Sequence, residues 1–230
     1  MTDLGEQSDA PPSLGTVQFQ EYVFVPNQKP VHVDYYFSVN SPWSFMATDR
    51  FIGMLDRYGA TVDVMPADLS TIFPQSGGLP LPKRSPQRQA YRMMELKRWS
   101  KFLRIPIVME PANFPSPEEI PVRTVIAARH TGVDPLKVAR EIGSALWVDD
   151  KSIADWDLMA EIIQKLGGDA DQTLAMAREP QRLTEYKDFT QKAMGAGVFG
   201  APTYVIDGEV FWGQDRIDFV ERALAEKSGK

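Results

Sequence analysis

The residues best suited to chemistry in this 230-residue chain fall in a few short stretches, and none of them is a cysteine, because the chain contains none. The first stretch is Ser41-Pro42-Trp43-Ser44. A hydroxyl residue followed by proline, with Trp43, Met46, Ala47, Met54 and Leu55 at helical spacing behind it, is the grammar of a helix start, with Ser41 at the N-cap and Pro42 at N1. Unpaired backbone N–H groups and the positive end of the helix dipole meet at such a place, so a hydroxyl there can also help to hold an anion. Read alone, Ser41 is as well explained as a plain cap; Ser44, at N3, reads as a capping or solvent-facing residue and Trp43 as core or pocket wall. The second stretch is Gly200-Ala201-Pro202-Thr203, a proline opening a strand, and the third is Trp212-Gly213-Gln214-Asp215, which follows a hairpin and opens the last helix. Fourth, Arg84, Arg88 and Arg92 recur every four residues, which suits bidentate binding of carboxylates, although a solvated helix face explains the pattern as simply. Asn113, in Pro111-Ala112-Asn113-Phe114-Pro115, is either a turn former or a pocket residue. His32 and His130 lie far apart without metal-ligand spacing, and no metal site is read from them.

These stretches need elements to position them. Val31–Ser38 is β-branched and aromatic and reads as a strand; the helix from Ser41 ends near Tyr58-Gly59, and Ala60–Met65 reads as a second strand, which makes a parallel crossover the default. An irregular loop is expected over about 68–82. From residue 85 to about 165 only helical periodicity is found, with helices expected over 86–104, 117–131, 135–148 and 153–166, the last opening with Ser152-Ile-Ala-Asp155, and two more helical segments reaching about Ala196. Thr203–Ile206, the Asp207-Gly208 turn and Glu209–Trp212 form a hairpin, followed by a helix over about 215–227. The order β-α-β, helical block, β-β-α is that of an α/β protein with a thioredoxin-like core (30–82 and 197–230) divided by a large all-helical insertion (83–196). Residues 1–29, rich in Pro, Gln, Ser and Asp, read as an N-terminal extension, mobile or docked as an arm.

Composition narrows the function. With 25 basic and 31 acidic residues the net charge is −6, which disfavours nucleic acid as a partner. Within that acidic chain, segment 83–104 carries eight basic residues against Glu95 alone. No apolar run approaches the roughly 20 residues of a membrane span, so no membrane association is expected. The start, Met1-Thr-Asp-Leu-Gly-Glu, has neither the basic nor the apolar region of a secretory signal, and a cytoplasmic location is expected. Without cysteine, disulfides, thiolate metal sites and any protein-borne thiol chemistry are excluded.

Three motifs in order, Asp34-Tyr-Tyr-Phe-Ser-Val-Asn-Ser41-Pro42-Trp43-Ser44, Val198-Phe-Gly-Ala201-Pro202-Thr203 and Trp212-Gly-Gln-Asp215-Arg216, make the chain resemble the kappa-class glutathione transferases and the related 2-hydroxychromene-2-carboxylate isomerases, over about residues 31–226. On the same scaffold the DsbA oxidoreductases carry Cys-x-x-Cys where this chain has Ser41-Pro42-Trp43-Ser44, and lacking both sulfurs it cannot exchange disulfides.

The resemblance implies glutathione as cofactor, with Ser41 as the catalytic residue holding its thiolate. A thiol of pKa about 8.5 held half-ionised at pH near 6.5 needs roughly 2.7 kcal/mol, which one charge-assisted hydrogen bond (about 1.5–3) and a helix terminus (about 0.3–2) supply together. It further implies that Pro202 is cis, that the backbone of Ala201 pairs with the cysteinyl part of glutathione, and that Gln214 and Asp215 hold its γ-glutamyl end. Arg88 stands where the family pattern Lys-x-x-Tyr has its lysine, with Tyr91 at the tyrosine, and would hold the glycyl carboxylate; the family's loop asparagine is replaced by Gly77-Gly78. Trp43, Arg84, Asn113 and Trp212 are then candidates for binding a small anionic aromatic substrate. The activity implied is isomerisation of aromatic pyruvates, set in aromatic catabolism, with glutathione recycled as nucleophile; a kappa-type transferase or peroxidase, and a non-catalytic glutathione- or anion-binding scaffold, are the alternatives. The family also implies a homodimer.

Overall fold

The computed structural model describes residues 29–229, so all but the last residue of the expected N-terminal extension lies outside the described residues. Four strands, β1 (His32–Phe37), β2 (Thr61–Pro66), β3 (Thr203–Ile206) and β4 (Glu209–Trp212), form one mixed sheet in the order β2-β1-β3-β4. β1 runs parallel to β2 across the helix α1 (Pro42–Tyr58), and β3 is antiparallel to both β1 and β4. This is the thioredoxin-like arrangement read from the sequence.

The alternation of side chains along β1 shows why it is the central strand. Val33, Tyr35 and Phe37 face one side and join the larger apolar cluster, while Tyr36 faces the other among Met65, Ile72, Ala193 and Val198. Both faces are covered, so the strand is aromatic and β-branched nearly throughout. On the larger side Tyr35 stacks on Phe37 and Tyr204 (ring centroids 5.4 and 5.2 Å apart), and Phe51 of α1 meets Tyr204 edge-on at 4.8 Å.

Between β2 and β3 the described residues form seven α-helices: α2 (Leu69–Ser76), α3 (Pro86–Leu103), α4 (Glu119–His130), α5 (Pro135–Trp147), α6 (Trp156–Lys165), α7 (Ala170–Arg178) and α8 (Gln181–Gly195). Val125, Ile142, Leu146 and Trp147 share the larger apolar cluster with Phe51 and Tyr35: α4 packs against β2, and α5 packs against α1. The chain ends with a 3₁₀ turn (Gln214–Arg216) and α9 (Ile217–Ser228).

Three local expectations are corrected. The loop over 68–82 contains α2, because the Asp68 carboxylate caps it by accepting the N–H of Ser70 and Ile72 anchors it in the core; Pro74, which reads as a breaker, sits inside its second turn. α6 begins at Trp156, with Asp155 rather than Ser152 as its cap, since Asp155 accepts the N–H of Asp157 and Ile153 is already buried before it. Ser44 is neither solvent-facing nor a capping side chain: its hydroxyl is buried and caps no backbone N–H among the described residues, while its backbone N–H donates to Ser41.

Candidate functional site

The sheet register brings two of the motifs together. Tyr36 of β1 pairs with Thr203 of β3 in antiparallel fashion, so Ala201-Pro202 enters the sheet at the end where β1 leaves it toward Ser41. Thr203 also pairs with Trp212, and Gly213 donates its N–H to the carbonyl of Pro202 at 2.9 Å, which carries Gln214-Asp215 to the same end. The Ala201–Pro202 peptide is cis.

Ser41 is the N-cap of α1, with extended φ and ψ of −84° and 116°. Its Oγ accepts the N–H of Ser44 at 3.1 Å, which uses a lone pair and leaves the O–H free to donate to a ligand. The turn carrying it is clamped from the helical segment. Glu118 accepts from Ser38 Oγ (3.0 Å) and Asn40 Nδ2 (2.9 Å) through one oxygen and from the Tyr186 hydroxyl (3.1 Å) through the other. Asn40 is also paired reciprocally with the backbone of Ser116, at 2.8 and 2.9 Å. Burial, reinforced by the neighbouring Glu118 charge, pushes the Tyr186 phenol far above its ordinary value, so it remains a donor at any working pH. Nothing local in the sequence announces this clamp, whose partners stand about 80 residues apart.

Two glycines allow the other motifs to close on one another. A Cβ on Gly200 would lie 2.5 Å from the Trp212 indole nitrogen, and one on Gly213 would lie 2.5 Å from an Asp215 carboxylate oxygen. Gly213 also has φ of 106°, a conformation open to glycine. Gln214 is buried, and Arg50 of α1 fixes it: one guanidinium nitrogen donates to the Gln214 carbonyl at 2.9 Å and to its side-chain oxygen at 2.6 Å. The same guanidinium lies 6.0 Å from the ring centroid of Trp99 on α3, so a single side chain ties α1, α3 and the Gln214 turn together. Burial lowers the Arg50 pKa from its ordinary value. Sequence reading missed Arg50, though a signal exists: its helical neighbours at three and four residues are Met46, Ala47, Gly53 and Met54, an apolar setting for a cation. Asp215 lies in the 3₁₀ turn that precedes α9 rather than in the helix itself, and that turn has no side-chain cap.

These elements surround a cavity of about 460 Å³. Of the sequence candidates, Trp43, Arg84, Arg88, Ala201, Trp212, Gln214 and Asp215 line it; Ser41 stands two residues before Trp43 at the same helix end. Pro202 is buried behind Ala201. Asn113 is not in the wall: its side-chain nitrogen donates to the Asp150 carbonyl at 2.9 Å, bracing a loop, while its neighbour Phe114 packs under the guanidinium of Arg92, 5.6 Å from the ring centroid. Tyr91, Arg92 and Trp99 line the cavity as well. Burial, and then the charge of Arg84, brings the Arg92 pKa down to about 10, and burial followed by Arg88 lowers that of Arg84. Glu95, the one acid on this helix, is turned to Arg98 at 2.5 Å. At the far end of the sheet His32, Asp34 and Asp63 gather, but Lys192 holds Asp34 at 3.0 Å and Arg129 holds Asp63 at 2.9 Å, so their charges are already balanced.

The chain as a whole is similar to known proteins. The family model described as a DSBA-like thioredoxin domain matches residues 32–225. The chain is 26% identical over 196 residues to a 2-hydroxychromene-2-carboxylate isomerase of Sphingobium xenophagum, covering 84% of this chain and 98% of the relative. It is 25% identical over 207 residues to glutathione S-transferase kappa 1 of Caenorhabditis elegans, covering 84% and 91% respectively. A solved structure of a 2-hydroxychromene-2-carboxylate isomerase superimposes with a TM-score of 0.71 at 26% identity, covering 85% of this chain and 95% of that one. The family model spans most of the chain and the fold agrees with it: the chain belongs to the DSBA-like thioredoxin domain family.

Proposed function

We propose that this protein is a glutathione-dependent isomerase of aromatic pyruvates, in which glutathione is a recycled nucleophile. The observation that carries the reading is the convergence on one cavity, at one end of the sheet, of the start of α1, which reaches it through Trp43 two residues after Ser41, of Ala201, of the Gln214-Asp215 turn and of Arg88, whose guanidinium has no carboxylate partner among the described residues. Each suits one part of glutathione. The Ser41 O–H donates to the thiolate, with the N-terminal end of α1 adding its field. The backbone of Ala201 pairs with the cysteinyl unit. Asp215 takes the free ammonium and the N–H groups of the turn the adjoining carboxylate, while Arg88 takes the glycyl carboxylate.

The reaction needs no other redox or acid–base partner. The thiolate adds to the carbon–carbon double bond conjugated with the 2-oxo acid; a C–S bond forms and the π electrons move to the oxo oxygen as an enolate. Rotation follows about what is now a single bond. Collapse of the enolate restores the double bond in the other geometry and expels the thiolate to Ser41. Trp43 and Trp212 would flank the aromatic ring, and Arg84 would face its carboxylate. Among the described residues no helix is long and apolar enough to cross a membrane. A homodimer in the cytoplasm, with the helical segment 83–196 as an insertion into the core, completes the reading.

The test is turnover with limiting glutathione. Isomerisation of many substrate molecules per glutathione supports the isomerase, whereas consumption of one glutathione per product would favour the kappa-type transferase. Glutathione binding without turnover of any aromatic pyruvate would favour a binding scaffold.

A further inference from the structure

Three guanidinium groups, those of Arg84, Arg88 and Arg92, line one wall of the cavity, and no carboxylate among the described residues pairs with any of them. The two acids nearby do not balance them. Glu95 is committed to Arg98 at 2.5 Å, and Asp215, across the cavity, lies 4.0 Å from Arg216. Arg92 is half-buried, its guanidinium 5.6 Å from the centroid of the Phe114 ring, and one terminal nitrogen donates to the sulfur of Met93 at 3.8 Å, a weak acceptor that leaves the positive charge unbalanced. Arg84 spends its Nε on the Leu79 carbonyl at 2.8 Å, which steers the side chain while its two terminal nitrogens meet no acceptor among the described residues. Like charges gathered without counter-ions raise the cost of the empty state, so the wall is complementary to more than one negative charge. The lining also carries four aromatic side chains, Trp43, Tyr91, Trp99 and Trp212.

In the reading above, which this inference rests on, glutathione brings one carboxylate to this wall and occupies Arg88. Two cations are left over. An aromatic acid with a single carboxylate would satisfy only one of them. We propose that the acceptor bound beside glutathione is an aromatic dianion, one carboxylate held by Arg92 above Phe114 and the second held by Arg84. The preference separates this protein from one built for a monoanionic aromatic pyruvate, and it gives Arg92 the role of a specificity-determining residue.

The experiment titrates two probes, naphthalene-2-carboxylate and naphthalene-2,6-dicarboxylate, into the full chain with and without saturating glutathione, followed by calorimetry. Glutathione itself is titrated first. The dicarboxylate is expected to bind about tenfold or more tightly than the monocarboxylate, as a second charge-assisted pair requires. Arg92→Gln should remove that advantage and leave glutathione affinity within about twofold, while Lys101→Gln, on the exposed side of the same helix, should change neither. Because Arg92 packs on Phe114, Arg84→Gln serves as the second variant should Arg92→Gln fold poorly, and it too should abolish the advantage. Equal affinity for the two probes in the unaltered protein, or an advantage that survives both substitutions, would overturn the proposal. So would an Arg92→Gln protein that loses glutathione as severely as it loses the dicarboxylate, since Arg92 would then belong to the glutathione site. Absence of glutathione binding would sink the isomerase reading instead, and the probe comparison in the free protein would still decide whether this wall selects dianions.

Discussion

Ser41 carries two loads that substitution can separate. Its Oγ accepts the Ser44 N–H, a capping bond, and in the proposed function its O–H is the group that donates to a thiolate. Ser41→Ala should therefore cost about 1 kcal/mol of stability from the lost cap. It should also lower glutathione-dependent turnover by roughly tenfold to a hundredfold, the rate equivalent of one hydrogen bond to a charged group. Arg50→Met makes a different prediction. It removes the guanidinium that holds both oxygens of Gln214 and leaves a buried amide unmet, so KM for glutathione should rise by about tenfold while kcat falls less, because the thiolate end is untouched. Comparing kcat and KM for the two variants checks both statements. Ser41, Arg88 and Asp215 could be singled out as candidates because each lies within a local motif. Arg50 and Glu118 were not, because their partners are distant: Gln214 is 164 residues from Arg50, and Asn40 is 78 from Glu118.

At the level of elements, periodicity found the strands and long helices, and boundaries went astray where a side-chain cap competed with a breaker. α2 is the clearest case. Asp68 accepts from the Ser70 N–H at 2.8 Å and from the hydroxyls of Ser70 and Thr71 at 2.6 and 2.7 Å. Burial works against the ionised carboxyl, but these hydrogen bonds prevail and hold its pKa below the ordinary value. With a folded-state pKa depressed below an unfolded value of about 3.9, its contribution is fully present above that pH and is lost as pH falls through the folded-state pKa. Asp68→Asn should flatten the acid limb of the stability curve, measured by denaturant unfolding between about pH 5 and pH 2, and leave stability less pH-dependent there. The hairpin end offers a second test: Gly200→Ala would drive a methyl into the Trp212 indole, so it should disturb Trp212 fluorescence and weaken ligand binding at the cavity.

For the whole molecule, the order β-α-β, helices, β-β-α fixed the topology, and topology alone placed the three motifs at one end of the sheet. The cavity wall was only half legible. Arg84, Arg88 and Arg92 stood out together by their spacing, but Phe114, which meets Arg92 from a segment that begins beyond α3, has no local signal that places it there. A site assembled from both ends of the chain should report on global stability. Glutathione at about 100 times its Kd should stabilise the native state by roughly 2.7 kcal/mol and raise Tm by several degrees, and an unchanged melting curve at millimolar glutathione would argue against a built glutathione site.

The central claim is that the start of α1 turns glutathione into a thiolate, and titration of the bound thiol by its ultraviolet absorbance tests it most directly. In the unaltered protein the bound thiol should ionise about 2 pK units below its free value, and in Ser41→Ala it should return most of the way while glutathione still binds. A bound thiol that titrates as it does free in solution, or one whose pKa is the same with and without the Ser41 hydroxyl, would contradict the account.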